Sequence, residues 1–166
     1  SGYALRDVIS KVDELKFSSD ADKQELSSLY EDKIKNMGNA GRNGGEYYTP
    51  RPLIKSIVKV LDPQIGETVY DGAVGSAGFL CEACDWMRQR KPLSAAESKT
   101  LQHDTFYGKE KKSLAYVIGI MNMILHGVEG ANISYRDSLS EGEAGHEEDF
   151  TVILANPPFK GSIDKS

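Results

Sequence analysis

Thr68-Val69-Tyr70-Asp71-Gly72-Ala73-Val74-Gly75-Ser76-Ala77-Gly78-Phe79 reads as a short apolar strand, a glycine-rich turn and the opening of a helix. Glycines in such a turn adopt positive φ and let backbone approach a ligand closely. The first turn of the helix adds N–H donors. Together they point to a nucleotide-type ligand, although the spacing is not the G-x-G-x-x-G of dinucleotide binders. A carboxylate at the strand end, Asp71, suits a ligand with a positive charge nearby, such as a methionine amino group.

Downstream of this turn, elements alternate. Residues 77–88 read as a helix, and the polar stretch 89–104 as a surface loop or a frayed helix. Residues 105–107 form a second strand, 113–126 a strongly apolar helix and 131–135 a third strand. Residues 140–149 are an acidic loop, and 150–155 a buried-type strand. This order predicts a parallel α/β sheet with ligands at the carboxyl ends of its strands. Upstream, Pro52 fits the first turn of a helix through Ile54, Ile57, Val58 and Leu61, and Asp62-Pro63 with Gly66 makes a turn.

Further upstream, Leu5, Val8, Ile9, Val12 and Leu15 recur at helical spacing. Ser18-Ser19-Asp20 can cap a second helix with Leu26, Leu29, Tyr30 and Ile34 on its apolar face. These front helices suit a packing layer and a subunit contact equally well. The glycine-rich stretch 36–46 is a joint, so the expected division is a helical segment, 1–44, and an α/β unit, 45–166.

The second chemical motif, Asn156-Pro157-Pro158-Phe159, comes directly after the last strand. Prolines stiffen the backbone and leave carbonyls without competing donors. Asn carries an acceptor and a donor on one planar group. The exocyclic amine of adenine is a poor nucleophile, because its lone pair is delocalised into the ring. Two acceptors, the Asn156 side-chain oxygen and the Pro157 carbonyl, can bind its hydrogens and draw the nitrogen towards a nucleophilic state. Phe159 can stack on a base that has left its duplex. Positioning and electrostatics then carry the chemistry. Glu110, just past the second strand, is placed to accept from both hydroxyls of a ribose.

Composition bounds the alternatives. The 166 residues, 39% hydrophobic and 27% charged, suit a folded soluble domain. No apolar run approaches the roughly 20 residues of a membrane helix, and a cytoplasmic setting is expected. The formal net charge is -5, whereas an autonomous DNA binder carries a basic surface. If DNA is a partner, another subunit must do much of the gripping. Lys55, Lys59, Arg42 and Arg51 are candidates for the remaining phosphate contacts. Cys81 and Cys84 have C-x-x-C spacing but no second pair, which favours core packing. The three histidines lack ligand spacing, and no metal is expected.

These motifs, in this order, resemble the modification subunit of type I restriction-modification systems, an S-adenosylmethionine-dependent adenine N6 methyltransferase. The resemblance also covers Gly45-Glu46-Tyr47-Tyr48-Thr49-Pro50-Arg51, Leu26 to Tyr30, Gly108-Lys109-Glu110-Lys111-Lys112 and Asn122-Met123-Ile124-Leu125-His126-Gly127. It implies a partial, mostly parallel Rossmann-like methyltransferase sheet behind a short helical segment. By the same resemblance, Tyr48, Thr49 and Pro50 line the methionine pocket, while Asp71, Ala73, Gly75, Ser76 and Gly78 form the cofactor loop. Glu110 holds the ribose, Asp137 sits beside the cofactor adenine, and Asn156, Pro157, Pro158 and Phe159 hold the target adenine. The implied partners are DNA, a specificity subunit and a restriction subunit.

The family loop usually reads Asp-Pro and carries a paired glycine, where this chain has Gly72 and Ala77. The Ala77 methyl is expected to crowd the backbone's approach. Family members run well beyond the Asn-Pro-Pro-Phe, so the chain is expected to be a fragment, weak or inactive alone, with an open edge on its last strand. Two other functions stay open on the residues alone. One is methylation of a protein glutamine, whose amide poses the same lone-pair problem. The other is a non-catalytic assembly module.

Overall fold

The computed structural model describes residues 2–14, 26, 29, 30, 32, 49–140 and 150–157. The described elements are helix α1 (Gly2–Asp13), α2 (Arg51–Leu61), strand β1 (Val69–Asp71), α3 (Gly78–Gln89), α4 (Ala95–His103), β2 (Phe106–Glu110), α5 (Ser113–Leu125), β3 (Asn132–Tyr135) and β4 (Val152–Ile153). The strands form one parallel sheet in the order β3-β2-β1-β4, the α/β architecture expected from the alternation. Asp71 pairs with Gly108, and Gly108 with Ile133, so β1 ends two residues short of β2 and β3, whose last residues, Glu110 and Tyr135, pair with each other.

Side chains alternate between the faces of a strand. Val69, Asp71, Phe106, Gly108 and Glu110 are the buried positions of β1 and β2. Leu80, Cys81, Cys84 and Met87 of α3 and Met123 of α5 share a core with Val69 and Phe106, and Ile54 and Val58 of α2 extend it across α3. On the opposite face Tyr70 stacks on Phe150 at 4.5 Å, with Tyr107 tilted against the same ring at 5.3 Å. The two cysteines are buried thiols, as the lack of a second pair suggested. Burial raises the Cys84 pKa to about 12, and that of Cys81 further, which makes both poor nucleophiles.

The local signals explain most boundaries. Pro52 lies in the first turn of α2, and the helix stops at Asp62 in the left-handed region (φ 49°). Asp tolerates that conformation better than most residues. Its carboxylate accepts from Trp86 Nε1 at 3.0 Å and pairs with Arg90, which fixes the turn.

Two expectations need correction. Part of the polar stretch 89–104 is a regular helix, α4. Ser94 Oγ accepts from the Glu97 N–H, the Glu97 carboxylate accepts from the Ser94 N–H, and Leu101 anchors the helix in the core. β4 is shorter than 150–155, although the Leu154 N–H still donates to Tyr70 O at 2.9 Å. α1 forms with the expected amphipathic spacing, but Leu5, Val8, Ile9 and Val12 are exposed. Leu26, Leu29 and Tyr30 are helical, and Tyr30 Oη donates to Ile118 O at 3.1 Å, tying that segment to α5. Leu15, Ile34 and the glycine-rich joint lie outside the described residues, as does the proposed boundary at 44. Among the described residues, the outer edge of β4 has no paired strand, as expected.

Candidate functional site

From β1 the chain winds to β2 and β3 on one side, then returns so that β4 lies on the other side of β1. Ligands bind in open α/β sheets at such a reversal, beyond the carboxyl ends of the strands. Asp71 ends β1, and Asn156 comes just after β4. Between them is a cleft with about 320 Å³ of space, open to solvent, lined by Thr49, Ile54, Asp71, Ala73, Val74, Gly75, Ser76, Gly78, Phe79 and Asn156.

The glycine loop is braced from outside by four side chains. Gly75 N–H donates to Glu110 Oε2 at 2.8 Å. Asn122 Nδ2 donates to Ser76 O at 2.8 Å, Arg51 Nη1 to Gly78 O at 2.9 Å and Ser138 Oγ to Gly72 O at 2.6 Å. Gly75 itself takes φ 53°, which its lack of a Cβ permits.

Asp71 is 1% exposed, and its Oδ1 accepts from the Ala73 N–H at 2.9 Å. Burial pushes its pKa up to about 7 against the opposing pull of that hydrogen bond, and the nearby Glu110 raises it further. The folded state therefore holds this proton more tightly than the unfolded chain, whose ordinary value is 3.8. The stabilising contribution is complete below that value and is lost as pH rises to about 7. The melting temperature of the ligand-free protein, relative to Asp71→Asn, is expected to fall between pH 4 and pH 7. A flat difference across that window would refute the burial argument.

The structure gathers most of the anticipated residues but not all. Thr49, Asp71, Ala73, Gly75, Ser76, Gly78 and Asn156 line the cleft, and Asn156 Nδ2 donates to Thr49 Oγ1 at 3.2 Å across it. Pro50 starts α2 and is not among the lining residues. Glu110 is buried beneath the loop, where its second oxygen accepts from the Lys112 N–H at 2.8 Å. Asp137 is ion-paired with Lys111 at 2.8 Å, away from the cleft, and that pairing lowers its pKa. Pro157 is exposed. Tyr48, Pro158 and Phe159 lie outside the described residues.

One reading changes. The Ala77 methyl does not crowd the cleft. The residue is fully buried in the left-handed region (φ 59°), and its Cβ lies 3.6 Å from where a Cβ on Gly119 would sit, so it packs towards α5. Arg51, a candidate for phosphate, holds the loop carbonyl. Asn122 and Ser138 were not anticipated as loop contacts. Asn122 lies in an apolar helix, and a polar residue fully buried there is the signal that marks it. Ser138 carried none. Among the described residues no group of three His, Cys, Asp or Glu side chains is arranged to hold a metal, and no helix is long and apolar enough to cross a membrane.

Residues 21–166 match the N-6 DNA Methylase family, and the chain belongs to it. Among individual relatives, it is 37% identical over 163 residues to the type I restriction enzyme EcoEI methylase subunit of Escherichia coli, an alignment covering 98% of this chain and 33% of the relative. A chain from a solved type I R-M system is 44% identical with a TM-score of 0.85, over 97% of this chain and 33% of that one. A modification subunit from Vibrio vulnificus YJ016 is 40% identical with a TM-score of 0.81, over 98% and 34%. The chain thus spans about a third of the length of the relatives it matches.

Proposed function

We propose that this chain is the front part of the catalytic domain of a type I restriction-modification methylase subunit, which transfers a methyl group to the N6 amine of adenine in DNA. One observation carries the reading: the buried carboxyl of Asp71 and the amide of Asn156 line the same cleft, at the point where the strand order reverses.

The site suits S-adenosylmethionine. Asp71 is a buried carboxyl facing the cleft without a cationic partner there among the described residues, and an ammonium group would hold it ionised. Bound, the cofactor would supply a methyl group on a positively charged sulfur. Asp71, Glu110 and Asp137 lie at or just past the ends of the adjacent strands β1, β2 and β3. Asp71 binds the amino group, Glu110 uses its remaining lone pairs for ribose hydroxyls, and Asp137 serves the adenine end. Thr49 and Ser76 position the methionine end beside them, with Tyr48 and Pro50 closing that side.

At the other wall, the Asn156 side-chain oxygen and the Pro157 carbonyl accept from the two hydrogens of the target amine. Pro158 stiffens the turn and Phe159 stacks on the base. The donated Asn156 Nδ2–Thr49 hydrogen bond leaves the amide oxygen available to substrate. Because the chain is acidic, sequence reading and most of the phosphate grip fall to a specificity subunit, with a restriction subunit completing the complex in the cytoplasm.

The test uses the full-length protein with its specificity subunit, labelled S-adenosylmethionine and unmodified duplex DNA. Label recovered as N6-methyladenine is the expected result. Label appearing only on a glutamine-bearing protein substrate, or no label with retained cofactor binding, would replace this reading. As a further expectation, cofactor affinity rises with pH through about 7 as Asp71 ionises, which calorimetry between pH 6 and pH 8 would measure.

A further inference from the structure

Asn122 is 1% exposed in the middle of α5, an otherwise apolar helix. Its Nδ2 donates to Ser76 O at 2.8 Å, and its Oδ1 is buried with no hydrogen-bond partner among the described residues. An orphaned buried acceptor is costly, so an apolar residue such as Leu or Met, both present elsewhere in this helix, would serve packing better. The amine end accounts for the residue's presence. One turn earlier, Gly119 brings α5 against the same loop: a Cβ there would lie 2.9 Å from Gly75 O and 3.2 Å from Val74 Cγ1. α5 is thus the floor on which the loop rests, with a glycine for close approach and an amide for the grip.

Both ends of the peptide unit joining Ser76 to Ala77 are held, the carbonyl by Asn122 and the N–H by Val74 O at 2.8 Å. The unit joining Val74 to Gly75 is held likewise, its carbonyl by the Ala77 N–H and its N–H by Glu110. The Ser76 N–H has no partner among the described residues, so the peptide between these two clamped units keeps a donor for a ligand.

We propose that Asn122 is a positioning residue: it holds the Ser76 carbonyl against α5 and so keeps the loop in the shape that accepts the cofactor, at the expense of fold stability. The inference builds on the cofactor reading above but makes a claim about the empty loop that can be tested separately. A residue acting this way separates stability from affinity, which a merely structural asparagine does not.

The experiment compares full-length wild type with Asn122→Leu, which removes both the grip and the orphan, and with Asn122→Asp, which keeps the shape without the amine. Amide hydrogen exchange is measured without ligand over residues 72–79 and over α3, alongside melting temperature and S-adenosylmethionine affinity. In Asn122→Leu, exchange over 72–79 is expected to quicken by about tenfold or more while α3 keeps its protection. Its melting temperature should hold or rise, and affinity should fall by about tenfold or more. Asn122→Asp should show the same exchange and affinity changes if Asn122→Leu fails to fold. Unchanged exchange over 72–79, or exchange that rises equally in α3 with a lower melting temperature, overturns the proposal. If wild type binds no S-adenosylmethionine, the functional reading fails, and the exchange comparison still decides the role of Asn122.

Discussion

Asn156→Ala is expected to lower kcat for DNA methylation by about 10²–10³-fold in the full-length protein, the scale seen when one preorganised polar group is removed from a reacting centre. The amide sits opposite Asp71 in the cleft and is steadied through Thr49. Its loss removes one of two acceptors from the target amine but none of the groups assigned to the cofactor. S-adenosylmethionine affinity should therefore stay within a few-fold of wild type. The split between kcat and affinity is the informative quantity. A kcat within threefold of wild type would sink the assignment, and an equal fall in affinity would move Asn156 to the cofactor side.

Gly108→Ala carries the second large effect. Gly108 lies in β2 directly beside the end of β1, and a Cβ there would meet the Val74 side chain and lie 2.8 Å from the Asp71 carbonyl. The carbonyl is backbone in a paired strand and cannot turn aside, so the added methyl must push β1 and the loop apart. Overpacking of this kind costs about 1–3 kcal/mol. Displacement of Asp71 and Val74 should also reduce cofactor affinity, by more than the stability loss alone implies. Denaturant titration and calorimetry check both effects. Wild-type behaviour in both would show that the loop yields more easily than its bracing suggests.

The α/β alternation was legible because each strand is short and apolar and each helix carries its own start or stop signal. Pro52, the Gly72–Gly78 turn and the apolar face of α5 all read correctly. α4 reads as either a loop or a frayed helix for a physical reason: Leu101 is its only buried side chain, so periodicity has nothing to register, and its start rests on the capping box from Ser94 to Glu97. Asp71 and Asn156 were legible as residues of one cleft because a strand, once placed in the sheet, also places the residue at its carboxyl end and those just beyond. Asp137 and Glu110 were legible as acids at strand ends, but not in their partners. Lys111 and the Gly75 and Lys112 N–H groups engage them through contacts between neighbours that spacing alone does not encode. The same holds for the Ala77 methyl, whose direction depends on a left-handed backbone and on Gly119 across the core.

The four braces on the glycine loop bear on the thermodynamics of loading. A segment already fixed by Arg51, Glu110, Asn122 and Ser138 surrenders little conformational entropy when a ligand arrives. Its heat-capacity change on binding should then track the ligand's own buried apolar area, without the large negative excess that accompanies coupled folding.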